Sequence, residues 1–233
     1  MLLELKETIR MQAAEINSLR KELKGPAKAP AVGHGHGAGG DASADELSVY
    51  LTTPFYAVAK KRVGWLGLFL ISLSLTALIM NGFEHTLSRQ IELAYFVPLL
   101  AGHGGNTGGQ TVGTVLSALS AGAVELKDAP RVISKEAMSG LTVGSLLGCA
   151  VGPIAHYIMG ISVHVSTVIF FTIPLVSLIA ATLGSTIPFV CIAFGLDPSV
   201  IASPAMTSFV DVSGLLSYFL IANQIFAFYG LKL

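Results

Sequence analysis

Five stretches of this chain, residues 63–83, 91–119, 139–159, 163–193 and 203–229, are long and apolar enough to cross a lipid bilayer. A hydrocarbon core of about 30 Å is crossed by roughly 20 helical residues at about 1.5 Å each, so each stretch suits one crossing. The expected fold is therefore all-α and integral to a membrane, with five transmembrane helices in residues 63–233. Composition agrees, because 52% hydrophobic against 12% charged residues is far from the balance of a water-soluble domain.

The charges cancel, with 14 basic and 14 acidic residues, and crowd into the first 62 residues and a few short connections. Nothing in that balance points to a nucleic-acid partner; the lipid bilayer is the expected surrounding. Lys60, Lys61 and Arg62 precede the first crossing, and Lys127, Arg131 and Lys135 lie between the second and third. Alternating crossings put both clusters on one side, and basic connections stay in the cytosol, which predicts a cytosolic N-terminus and an outward C-terminus. The opening MLLELKETIRMQ lacks the apolar core and cleavage site of a signal peptide. Cys149 and Cys191 both sit in apolar runs without C-x-x-C spacing, so neither a disulfide framework nor a zinc site is indicated.

Upstream of the crossings, Leu2, Leu5, Ile9, Ile16, Leu19 and Leu23 follow steps of three and four, with Gln12 the one polar entry in the seam, so residues 1–24 read as an amphipathic or coiled-coil helix. Residues 25–45, rich in Gly, Ala and Pro, read as a flexible linker in which His34 and His36 lack the further ligands of a metal site. Residues 46–62 mix Tyr50, Phe55 and Tyr56 with the basic cluster and are expected to form a juxtamembrane helix on the cytosolic face.

The chemistry is concentrated in two crossings. Asp211 is the one acidic residue deep inside an apolar run, where an ionised group costs roughly 2.5 to 3.5 kcal/mol on insertion scales and requires a partner, a proton or water. At helical spacing it shares a face with Ser203, Thr207, Gly214 and Tyr218, an oxygen-bearing stripe of the kind a hard cation needs. A protonated aspartate hydrogen-bonded between helices is the alternative. In the second crossing, PLLAGHGGNTGGQT sets Pro98, Gly102, Asn106 and Gln110 near one face, followed by Gly113 and Thr114. Backbone and amide oxygens there suit a small divalent ion that keeps its water shell, while Gly104 and Gly108 form a small-residue packing face. Asp197, in GLDPS, is either a helix cap, a site for ions, or both. His85, His103, His156 and His164 have no paired ligand spacing and read as loop or packing residues.

From about Tyr50 onward the chain resembles the membrane domain of the MgtE family of magnesium channels and its eukaryotic relatives, through KKRVGWL, PLLAGHGGNTGGQ, GLDPS and TSFVDVSG in that order. The resemblance implies a homodimer of five-helix subunits, with the second and fifth helices of each lining one pore on the two-fold axis. It implies that Asp211 holds hydrated Mg2+ with help from Asn106 and the backbone near Thr207, and that Asp197 binds ions near the cytosolic mouth. The sequence departs from the family pattern at Gly109, where Asn or Ser is common, and at His103, where an apolar residue is usual. A divalent cation channel or facilitated transporter is thus expected, with an ion-coupled exchanger or a membrane-anchored scaffold as alternatives. No nucleophile–base pairing suggests an enzyme.

Overall fold

Glycine and proline punctuate the apolar runs where helices begin and end, and the computed structural model, which describes residues 52–231, follows that punctuation. Its helices are α1 (Phe55–Gly82), the short α2 (Glu84–Arg89), α3 (Glu92–Ser120), α4 (Ala129–Tyr157), α5 (Val163–Ala193) and α6 (Pro198–Phe228), with a 3-10 turn at Leu126–Asp128. No strand occurs among the described residues. The expected helix of residues 1–24, the linker of 25–45 and residues 46–51 of the juxtamembrane segment lie outside the described residues.

Four segments, Phe55–Gly82, Leu126–Tyr157, Val163–Ala193 and Pro198–Phe228, are long and apolar enough to cross a membrane, so the chain is a multi-pass integral membrane protein. Helix α3 is as long as the others at 29 residues. The polar and glycine residues between Gly102 and Gln110 dilute its apolar character, so by composition it falls short of the other four.

Helix boundaries and apolar boundaries differ. α1 runs unbroken from Phe55 through the basic cluster, α4 begins at Ala129 rather than at residue 139, and α6 begins at Pro198 rather than at residue 203. Hydropathy marks the length that suits lipid, whereas backbone hydrogen bonding and caps decide where the helix starts. At α6, Asp197 Oδ1 accepts from Ser199 N (3.0 Å) and Ser199 Oγ (2.5 Å), with Pro198 in the first turn. The preceding turn closes because Gly195 adopts φ of 66°, which lets Leu196 N reach Cys191 O at 2.8 Å.

Helix α5 is the hub, packing against α3, α4 and α6, while α6 also meets α3 and α1. α4 meets α5 through glycines at every fourth position: side chains at Gly140, Gly144 and Gly148 would strike Ser177, Pro174 or Phe170, and Gly152 lies against Phe170. This period-four stripe permits backbone approach where lipid supplies no hydrophobic driving force, so close packing must hold the helices together. α1 is peripheral. Trp65 and Phe69 pack on Cys191, Ile201 and Ala205, whereas Ile71 and Leu78 are 72% and 68% exposed, as suits a face turned to lipid.

Long helices successive in the chain alternate in direction, so Lys60, Arg62, Lys127, Arg131 and Lys135 fall at the same end as Asp197. The opposite end is cross-braced. Glu92 Oε2 accepts from Ser162 N (3.0 Å) and Ser162 Oγ (2.6 Å), Tyr218 donates to Leu93 O (3.0 Å), and Thr86 donates to Asn223 Oδ1 (3.1 Å). Ser162 is the N-cap of α5, so the Glu92 carboxylate sits at the positive end of that helix. Replacing Glu92 by Ala should lower stability by about 1.5–3 kcal/mol, and by Gln less, because Gln keeps an acceptor. Thermal unfolding of the purified protein in detergent reads the difference, and equal losses for the two variants would show that geometry alone matters there.

Candidate functional site

The two helices that the sequence singles out, α3 and α6, pack directly on each other and run antiparallel. A side chain at Gly104 would lie 2.6 Å from Val210 Cγ1, and one at Gly108 would run into Met206. These two contacts fix the register. Asn106 and Thr207 come to nearly the same depth, and Asp211 stands about one helical turn, roughly 5.4 Å, nearer the Glu92 end.

The glycines of α3 divide into two kinds. Gly104 and Gly108 are buried, the latter also under Gly184 of α5, where a side chain would lie 2.6 Å from Gly108 O. Gly102, Gly105, Gly109 and Gly113 face open space, with no atom within 4 Å of where a side chain would begin. Pro98, Gly102, Asn106 and Gln110 are all exposed, so the stripe read from the sequence lies on the side of α3 turned away from the bundle. The packing face at Gly104 and Gly108 and the polar stripe thus coexist on one helix.

On α6, Ser203 is exposed and Thr207 and Asp211 are half-buried. Thr207 donates to Ser203 O (3.0 Å), a bond within its own helix. Among the described residues, the Asp211 carboxylate makes no hydrogen bond and no ion pair, so within one chain nothing answers to an aspartate hydrogen-bonded between helices. It borders a cavity of about 160 Å³ between α1, α3 and α6. Gly214 differs from the rest of its stripe: it is buried, and a side chain there would lie 3.5 Å from Val176 of α5. Asp197 stands apart as the cap of α6, about 20 Å along the axis from Asp211 at 1.5 Å per residue.

His103 turns inward. The Ser177 hydroxyl donates to Ile173 O (2.8 Å), which leaves its oxygen to accept from His103 Nε2 (2.7 Å), tying α3 to α5 just behind the open stripe. His156 lies 2.9 Å from Ile161 O, and the His164 ring packs edge-on against Tyr229. Among the described residues no group of three or more His, Cys, Asp or Glu is placed to hold a bare metal ion. The Glu92–Ser162 brace and the glycine stripe of α4 were not singled out from sequence. The stripe carried a usable signal, since Gly140, Gly144, Gly148 and Gly152 recur every fourth residue.

Comparison with known proteins bears on the same region. The family model MgtE, described as a divalent cation transporter, matches residues 97–221, more than half of the 233 residues and the part that holds α3 to α6. The magnesium transporter MgtE of Thermus thermophilus is 34% identical over 170 residues, covering 70% of this chain and 36% of that protein. Its namesake in Bacillus subtilis is 27% identical over 184 residues, 78% of this chain and 40% of the relative. The Enterococcus faecalis protein of that name is 29% identical over 175 residues, 73% and 38% respectively. The chain therefore matches well under half the length of these relatives. With the family model covering the helices that carry both stripes, the chain belongs to the MgtE family of divalent cation transporters.

Proposed function

We propose that this chain forms the membrane path of a magnesium transporter, and that two copies build the path around a two-fold axis. The observation that carries this reading is the Asp211 carboxylate, mid-helix and without a partner among the described residues, at the depth of an uncovered stripe of glycine and amide groups. α3, second in chain order, brings the crossings to five and is tolerable in lipid because its polar face meets the partner subunit and water rather than acyl chains. One stripe cannot surround an ion, whereas a two-fold axis doubles each ligand and closes the path.

In this arrangement two Asp211 carboxylates match the double charge of Mg2+. They act through the ion's water shell, because Mg2+ sheds water reluctantly and demands near-octahedral oxygen geometry. Asn106 and the backbone near Thr207 hold further waters, and Gly102, Gln110 and Ser203, with Pro98, border the path. Asp197 gathers ions at the cytosolic mouth. With the N-terminus inside and the C-terminus outside, a membrane potential favours inward movement by about 2.3 kcal/mol per charge per 100 mV. Residues 1–24 and 25–45 take no part in the path.

Liposomes holding a magnesium-sensitive dye test the function. Flux driven by voltage alone identifies a channel or facilitated transporter, while flux that needs a counter-ion gradient identifies an exchanger and overturns the channel reading. Assembly has its own test. With Cys149 and Cys191 replaced, Thr207→Cys should crosslink between subunits on the fifth long helix, and a monomer that still conducts overturns the dimer. Deleting residues 2–24 should leave flux in place; loss of flux in a folded, dimeric deletion would bring that segment into the gate.

A further inference from the structure

We propose that the cavity beneath α1 is a binding site for a small organic ammonium ion, whose charge pairs with Asp211 and whose apolar body fills the space between α1, α3 and α6. The cavity measures about 160 Å³. A protein cavity of roughly 150 Å³ lined by aliphatic side chains is known to take up benzene, so one ring or a short branched chain fits. The walls include Leu73 and Met80 of α1, Val97 and Leu100 of α3, and Leu215 of α6. Asp211 is the one charged residue in the lining. The one hydroxyl, of Thr76, already donates to Leu73 O at 2.6 Å.

Three occupants compete for such a space, and the lining discriminates among them. A hydrated metal ion brings a shell of waters that aliphatic walls cannot partner, so the interior of the cavity does not suit it, and in the proposed path it meets Asp211 only at the cavity's edge. A lipid chain matches the walls but leaves the carboxylate without a counter-charge in a medium of low dielectric. An organic ammonium satisfies both, giving the mostly apolar pocket with one oriented polar group that characterises small-molecule sites. Access is lateral: α1 is peripheral, with Ile71 and Leu78 turned outward to lipid. Occupancy needs only the cavity and the carboxylate, whatever ion passes along the open stripe.

Benzylammonium is the probe, with benzyl alcohol as a neutral counterpart of similar size that reports partitioning into detergent or lipid. Magnesium-free full-length protein should show saturable thermal stabilisation by benzylammonium, at concentrations at least about tenfold lower than any effect of benzyl alcohol, since a site built around a charge rejects the analogue lacking it. Asp211→Asn should abolish the difference between the two compounds. Thr76→Trp, which fills the cavity from α1 and leaves the carboxylate in place, should lose benzylammonium binding yet keep stabilisation by magnesium; Leu73→Phe is the milder filling if Thr76→Trp does not fold. Equal potency of the two compounds, or unchanged benzylammonium binding in a folded, cavity-filled variant, overturns the proposal. Loss of benzylammonium binding in both variants without competition from magnesium sustains the ammonium site while removing Asp211 from the metal path.

Discussion

Asp211→Asn should leave the fold intact and remove most divalent cation flux, with stabilisation by magnesium lost in the same preparation. Asparagine preserves shape and hydrogen-bonding capacity, so α6 packing through Val210 and Met206 is undisturbed. What disappears is one negative charge per chain, two in the proposed dimer. Even at an effective dielectric near 20, a doubly charged ion about 4 Å from each carboxylate loses several kcal/mol of attraction, enough for a drop of at least about a hundredfold in binding. The sign of the stability change then reverses with conditions. Without divalent ions the wild type keeps two carboxylates close together in a poorly hydrated place, so the asparagine form should unfold at the higher temperature. With millimolar magnesium the wild type gains by mass action and the variant does not. Asp211→Ala should lose flux as well. Unchanged concentration dependence in the asparagine form would transfer selectivity to the stripe from Pro98 to Gln110.

Much of this was legible in the sequence because the bilayer leaves so few options. Continuous apolar runs announced long helices, and a single carboxylate at residue 211 stood out against them. The period of the α3 segment sorted Asn106 and Gln110 from Gly104 and Gly108, and the structure puts the first pair outside and the second pair inside. Helix starts were less legible, since the apolar scale is silent about turns that project beyond lipid; Ala129 begins its helix beside Pro130, and Pro198 begins its helix under the Asp197 cap. Gly214 shows the limit of periodicity. Its spacing from Asp211 suggested the same stripe, yet a three-residue step rotates the direction by about 60° from its partner, and α5 covers it. Contacts between distant residues, such as Glu92 with Ser162 and His103 with Ser177, depend on which helices become neighbours, and one chain read alone does not contain that.

The close approach of α3, α4 and α5 makes glycine substitutions the sharpest test of packing. At Gly140 an alanine methyl would begin 2.5 Å from Ala181 Cβ and 2.6 Å from Ser177 O, and at Gly184 it would begin 2.6 Å from Gly108 O. Backbone atoms cannot rotate away, so helices must separate. Overpacking of a fitted interface costs typically about 1–3 kcal/mol, and the backbone contact puts Gly140→Ala and Gly184→Ala at the upper end or beyond. Gly108→Ala should cost less despite its crowding, because the atoms it meets belong to the flexible Met206 side chain. Gly67→Ala is the control: nothing lies within 4 Å, and alanine favours the helix by up to about 1 kcal/mol over glycine. The two disruptive variants should differ in kind. Gly140→Ala strains α4 against α5, and the nearest atoms it meets all belong to α5 rather than to α3 or α6, so flux in the surviving folded protein should persist. Gly184→Ala pushes α3 outward at the depth of Gly108, so the folded fraction should conduct magnesium poorly even where thermal unfolding is matched between the two. If flux tracks melting temperature alone across both variants, the position of α3 does not control the path.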